Sequence, residues 1–166
     1  MLHKMYDAYK AGRKPMPEEL AMQLPYSKKI AELLGMTVLT LEGYEADDIL
    51  GTLARQAEDR DVEAYILTGD RDSLQLISDT THVLLATNKD TIEFGKAEFR
   101  EKYGIEPEQF VDMKALMGDA SDNIPGVKGI GEKTAQKLIS EWGSIEYIYD
   151  HIDEVGLKGA TLAKMK

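Results

Sequence analysis

Up to about residue 95 the apolar residues alternate between a strand rhythm and a helix rhythm. Beyond that point only the helix rhythm remains. Pro17-Glu18-Glu19-Leu20 places proline in a first turn with acids behind it, which predicts a helix start. Leu20, Met22, Leu24, Ile30, Leu33 and Leu34 carry the apolar positions onward, Pro25 kinks or divides the segment, and Gly35 is positioned to end it. Met36 to Thr40 then reads as a short strand. From Glu45 a helix follows, with Ile49, Leu50, Leu53, Ala54 and Ala57 on one face. Ala64 to Thr68 is almost wholly apolar, as expected of a strand buried on both sides. Ser73 to Ile77 predicts a short helical segment, His82 to Ala86 a third strand, and Asn88-Lys89-Asp90 a turn into Thr91 to Phe94. Strands alternating with helices predict an α/β domain with a mainly parallel sheet.

Four helices are predicted after residue 95, over 96–103, 108–117, 133–142 and 144–151. The expected division is an α/β unit over residues 1–106 and a small all-α region over 107–166. The sequence shows no internal repeat and no low-complexity segment.

Composition narrows the classes. The chain has 166 residues, 43% of them apolar and 30% charged, enough to bury a core. No run approaches the roughly 20 apolar residues that span a bilayer, and no signal-peptide pattern is visible. There is no cysteine, which excludes disulfides, zinc–thiolate sites and cysteine nucleophiles and fits the cytoplasm. The net charge of −10 argues against a general polyanion binder. Two local basic patches change that picture. One holds Lys4, Lys10, Arg13 and Lys14; the other holds Lys128, Lys133 and Lys137.

Candidate chemistry concentrates in residues 118–135. Asp119 and Asp122 are carboxylates three positions apart in a polar turn, a spacing that suits a hard divalent cation. Gly126-Val127-Lys128-Gly129-Ile130-Gly131 then runs into a helix carrying Lys133 and Thr134. A glycine-rich turn opening a helix suits a phosphate, because free N–H groups and the helix dipole favour an anion. Either pattern alone is most often ordinary turn chemistry; together they point to a phosphodiester substrate. Two further acidic groups, Glu45/Asp47/Asp48 at a helix start and Asp70/Asp72 after a strand, fall at the strand edge where open sheets collect ligands. Asp70-Arg71-Asp72 in extended geometry would place both carboxylates on one side. Dipole complementarity explains acids at a helix start, but not their convergence from separate elements, which a shared cation explains. Lys10 and Arg13 are the best placed positive groups for the far side of a phosphate, and Tyr9 is a candidate for stacking on a base. His3, His82 and His151 are scattered and read as structural or surface residues.

Four motifs in one order carry a resemblance: Tyr9-Lys10-Ala11-Gly12-Arg13, Glu42-Gly43-Tyr44-Glu45-Ala46-Asp47-Asp48, Thr68-Gly69-Asp70-Arg71-Asp72, and Gly118 to Ala135. Together they resemble the 5′-nuclease domain of bacterial DNA polymerase I, in the flap-endonuclease superfamily. The resemblance implies a PIN-like α/β nuclease core, incomplete here, with an arch-helix remnant over residues 1–34, followed by a SAM-like helix–three-turn–helix element. It implies two divalent ions, Mg²⁺ or Mn²⁺. Glu45, Asp47 and Asp48 would belong to one site, and Asp70, Asp72, Asp119 and Asp122 mainly to the second. Lys10 and Arg13 would contact the scissile phosphate. The loop Gly126–Gly131 would grip duplex backbone, with a K⁺ ion on its carbonyls. The expected activity is 5′→3′ exonuclease and 5′-flap cleavage of branched or nicked DNA, with no membrane partner.

The same family carries, ahead of the position of His3, two strands each bearing a further metal-binding Asp. It also carries helices beyond the position of Lys166. The chain is therefore expected to be a truncated member, with that segment or a polymerase module as partners. Two other readings compete: a catalytically incomplete DNA-binding module, and an unrelated metal-dependent phosphatase on an α/β core.

Overall fold

A computed structural model describes residues 6–157 and 159–165; His3 and Lys4 lie outside the described residues. Three strands form the main sheet in the order β1 (Ala64–Thr68), β2 (Thr81–Ala86), β3 (Thr91–Phe94). β1 and β2 are parallel, with Ala64 opposite Thr81. β3 returns antiparallel, with Phe94 opposite Val83. A 3-10 helix, Arg71–Leu76, lies in the crossover between the parallel strands. The β2–β3 turn is closed by the Thr87 N–H and hydroxyl, which both donate to the Asp90 carbonyl at 2.8 Å.

The helices are α1 (Glu18–Ala21), α2 (Leu24–Leu33), α3 (Ala46–Glu58), α4 (Lys96–Tyr103), α5 (Phe110–Met117), α6 (Glu132–Trp142), α7 (Ile145–Asp150) and α8 (Gly159–Met165). Their ends follow local chemistry. Pro25 sits in the first turn of α2, where its missing N–H costs nothing. After α2 the Gly35 N–H donates to the Glu32 carbonyl and the Met36 N–H to the Ala31 carbonyl, with Gly35 at φ +81°; this pair of bonds terminates a helix on a left-handed glycine. Glu98 returns to the Gly95 N–H at 2.9 Å to open α4.

One hydrophobic core runs through both halves of the chain. The sheet contributes Val83, Leu85 and Phe94, the 3-10 crossover Leu74, and the later helices Phe99, Met113, Leu116, Ile139 and Ile148. Phe99, Tyr103 and Phe110 pack ring to ring at 4.7–5.5 Å, largely edge to face, a favoured aromatic geometry. Residues 118–119 and 124–125 form a two-residue antiparallel ribbon, β4 and β5, which the sequence did not signal.

Three local expectations need correction. Residues 36–40 form no strand, and Leu39 and Leu41 are more than half exposed. A strand is fixed by its partners, and among the described residues none pairs with this segment. β1 is buried on one face only: Ile66 points into the core while Tyr65 and Leu67 face solvent. Residues 7–12 are successive turns, not an arch helix; Lys10 at φ +57° interrupts any helical run. Among the described residues no helix is long and apolar enough to cross a membrane.

Candidate nuclease site

The acids converge. Glu45, Asp47, Asp48, Asp70, Asp72 and Asp122 line one open cavity of about 480 Å³ together with Lys10, Arg13 and Gln75. Glu45 caps α3, and Asp47 and Asp48 lie in its first turn. Asp48 is partly structural, since its Oδ2 accepts the Glu45 N–H at 2.9 Å. Asp70 follows β1 and caps the 3-10 helix by accepting the Asp72 N–H at 3.0 Å. This geometry replaces the expected extended Asp-Arg-Asp. The short helix begins at Arg71 because the Asp70 carboxylate bonds the backbone two residues on. Both acids still face the cavity.

The Asp47 carboxyl is raised above its ordinary range, first by burial and then by the charges of Asp70, Glu45 and Asp72. A carboxyl raised by neighbouring carboxylates marks a place where added positive charge is favoured, the electrostatic condition of a cation site. Their all-oxygen chemistry fits a hard divalent ion. As placed, however, no three of them among the described residues meet closely enough to hold one. Cations are paired with several of the acids instead. Lys10 Nζ lies 2.8 Å from Glu45 and 3.8 Å from Asp122, and Arg13 lies 2.5 Å from Asp122. Lys114, which the sequence did not single out, joins Asp72 at 2.8 Å to Asp119 at 2.5 Å.

The N-terminal turns that carry Lys10 and Arg13 are docked on the 119–123 turn by backbone. The Lys10 N–H donates to the Asp122 carbonyl at 2.9 Å, and the Asn123 amide to the Ala8 carbonyl at 2.8 Å. Tyr9 is buried at 5% exposure. Its hydroxyl lies 3.4 Å from Glu45 and the Lys10 ammonium stands over its ring. A ring enclosed in this way is not a platform for a base, so its predicted stacking role is replaced by support of Glu45 and Lys10.

Asp119 stands apart from the other acids and does not line the cavity. Its Oδ1 accepts from the Ser121 N–H, the Ser121 hydroxyl and the Asp122 N–H, and its Oδ2 from Lys114. The Lys114 hydrogen bond, followed by those from Ser121, holds its carboxyl far below the usual range. Burial alone would lower the Lys114 ammonium, but its bonds to Asp119 and Asp72 raise it.

The glycine loop lies next to this turn. Gly118 and Gly126 cross so closely that a Cβ on either would meet the backbone of the other strand. Beyond the crossing, Lys128, Gly129 and Gly131 are exposed, as are Lys133 and Thr134 in the first turn of α6. Ile130 is buried and Val127 half-buried, and their N–H groups donate to the Val127 and Leu116 carbonyls, so these two anchor the loop. Gly131 caps α6 in an extended conformation, φ −102°. His82 stacks on Tyr65 and His151 on Tyr147, away from the acids.

Residues 1–104 match the family described as 5′-3′ exonuclease, N-terminal resolvase-like domain, and residues 105–166 its C-terminal SAM fold. The thermostable DNA polymerase I of Thermus thermophilus is 52% identical over 153 residues, 92% of this chain and 18% of that protein. DNA polymerase I of Bacillus subtilis is 46% identical over 158 residues, 94% of this chain and 18% of that protein. A bacteriophage T5 flap endonuclease, crystallised with DNA and metal ions, superposes with a TM-score of 0.79 at 26% identity, covering 98% of this chain and 63% of the phage protein. The chain thus spans under a fifth of the length of these polymerases. Its sheet, SAM-fold region and order of motifs make it a member of the 5′-3′ exonuclease family, with a resolvase-like, PIN-like α/β domain followed by a SAM-fold domain.

Proposed function

We propose that the chain carries the cleavage site and the duplex-gripping loop of a divalent-metal-dependent 5′→3′ exonuclease and 5′-flap endonuclease. The observation that carries this reading is the cavity where six carboxylates from three separate segments meet Lys10 and Arg13 of a fourth. Residues 1–106 hold the acids of α3 and the β1 crossover, and residues 107–166 hold Asp119, Asp122 and the loop. Divalent ions, Mg²⁺ or Mn²⁺, would supply a water of lowered pKa and stabilise the attacking and leaving oxygens. Glu45, Asp47 and Asp48 would hold one ion; Asp70, Asp72 and Asp122, with Asp119 alongside, would hold the other. Lys10 and Arg13 would turn from the acids to the scissile phosphate. The N–H groups of the exposed Lys128, Gly129 and Gly131, with the Lys128 and Lys133 side chains, would bind duplex phosphates, and the loop carbonyls would hold a K⁺ ion. The relatives join such a domain to a polymerase, so a polymerase module is the proposed partner and a DNA end, nick or flap the substrate. A cysteine-free chain of this kind belongs in the cytoplasm.

One observation favours a second reading, of a DNA-binding module with little turnover: among the described residues no three acids lie close enough together to hold an ion. Cleavage of an end-labelled 5′-flap duplex with Mg²⁺, Mn²⁺ or EDTA separates the two. Metal-dependent cleavage abolished by Asp72→Ala supports the nuclease. Flap binding without cleavage supports the module. Neither binding nor cleavage would overturn both.

A further inference from the structure

Lys114 is the least exposed of the three cations set among the acids after Lys10, with 23% of its side chain accessible. It stands in the last turn of α5. Its ammonium reaches Asp72, on the 3-10 crossover after β1, and Asp119, at the start of the 119–123 turn. It therefore ties the two halves of the site through one positive charge. Both Asp119 oxygens are engaged, Oδ1 by three bonds from its own turn and Oδ2 by the ammonium. Asp72 differs: it lines the acid cavity while its Oδ1 is engaged by Lys114. A single ammonium between carboxylates of two elements neutralises and aligns them, as a bound cation would.

We infer that Lys114 is a resident counter-cation of the acid cluster, a positioning residue that holds Asp72 against Asp119 and competes with a divalent ion for Asp72. The inference rests on the reading of the acids as metal ligands and adds to it a residue that opposes loading. Its sign can be read. If Lys114 only braced the fold, its loss would scatter the acids and weaken ion binding. If it is a competing charge, its loss leaves two carboxylates unneutralised, so the ion-free protein loses stability while the ion binds more tightly. A positive charge a few ångströms from a doubly charged ion is worth about a factor of ten or more in affinity even where water screens it.

The test uses the full chain with Lys114→Met, Lys114→Gln and Lys114→Arg, titrated with Mn²⁺ by calorimetry and melted in EDTA and in Mn²⁺. The neutral variants are expected to melt lower in EDTA, to bind Mn²⁺ about tenfold more tightly, and to gain more in melting temperature from Mn²⁺ than the wild type. Lys114→Arg should keep wild-type affinity. Should the methionine variant not fold, the glutamine variant is read in the same way. Wild-type Mn²⁺ binding that the neutral variants leave equal or weaker overturns the role of Lys114 alone. Binding that emerges only in the neutral variants supports it. No binding in any variant overturns both the role and the metal site beneath it.

Discussion

The crossing of Gly118 and Gly126 fixes how the acid turn sits against the glycine loop, and a single methyl group tests it. Gly118 has φ 76° and ψ 178°, a region that only glycine occupies without strain, at about 1–3 kcal/mol for another residue. A Cβ there would also meet the Gly126 nitrogen and the Ile124 carbonyl oxygen. Neither is the end of a flexible side chain, so the backbone itself must move, an overpacking cost of about 1–3 kcal/mol. The two contributions together put Gly118→Ala at roughly 2–6 kcal/mol of lost stability. Gly126→Ala meets the Met117 carbonyl and the Gly118 nitrogen and should lose the overpacking part. Gly131 is the control: nothing lies within 4 Å of its would-be Cβ, and alanine there costs only the difference between two cap residues, about 1 kcal/mol or less. Urea unfolding at pH 7 measures all three; with a slope of about 2 kcal/mol per molar, Gly118→Ala moves the midpoint by roughly 1–3 M. A Gly118→Ala protein within about 0.5 kcal/mol of wild type would refute the crossing as the constraint on this turn.

Three other outcomes follow from the same structure. Phe99, fully buried between Tyr103 and Phe110, should cost about 3–5 kcal/mol on change to alanine, read from the same urea midpoints; a loss under 1 kcal/mol would place it outside the core. The Asp119 carboxyl is depressed by Lys114 and Ser121, so its contribution to stability is complete above the ordinary Asp value of about 4 and is lost as pH falls below that toward the folded-state value. Asp119→Asn should therefore flatten the acid limb of stability between pH 7 and pH 2, and an unchanged limb would contradict the pairing. Lys128→Ala with Lys133→Ala should reduce the slope of log K against log[salt] for duplex DNA by roughly two contacts, at about 0.9 each, in filter-binding titrations; an unaltered slope would move the duplex site elsewhere.

What the sequence made legible was whatever depends on local chemistry. α4 begins and ends where expected, since Gly95 and Gly104 punctuate it and Glu98 closes its first turn. The acids were found because three short motifs carry them, although of the three groups only Asp70 and Asp72 follow a strand of the parallel pair, and Glu45, Asp47 and Asp48 open α3 with no strand before them among the described residues. Residues 36–40 failed for the converse reason: β-branched composition describes a surface that fits a sheet, and only a partner strand decides whether it joins one. Tyr9 looked like an exposed aromatic on a basic segment, and nothing local announces that Glu45 and Lys10 enclose it. Lys114 carries no signal either. It stands five residues before Asp119 and forty-two after Asp72, and only the packing of α5 beside the crossover joins them.

The charges decide one more point. By sequence, Lys10 and Arg13 belong to a basic patch that would attract DNA, yet in the fold both are turned inward on Glu45 and Asp122. A cation already paired with a carboxylate releases no counterions from DNA, so it adds nothing to the salt dependence of binding. On the proposed reading, a divalent ion at the acids takes over that neutralisation and returns both side chains to the phosphate. Lys10→Ala with Arg13→Ala should therefore leave the salt slope of flap-DNA binding in EDTA unchanged. In Ca²⁺, compared with wild type at the same ion concentration, the double variant should lose up to two contacts of slope, at about 0.9 each. Polarisation titrations over a range of KCl measure both conditions. A double variant that loses the same slope in EDTA as in Ca²⁺ would show that these cations face DNA without any ion, and that their pairing with the acids has no part in binding.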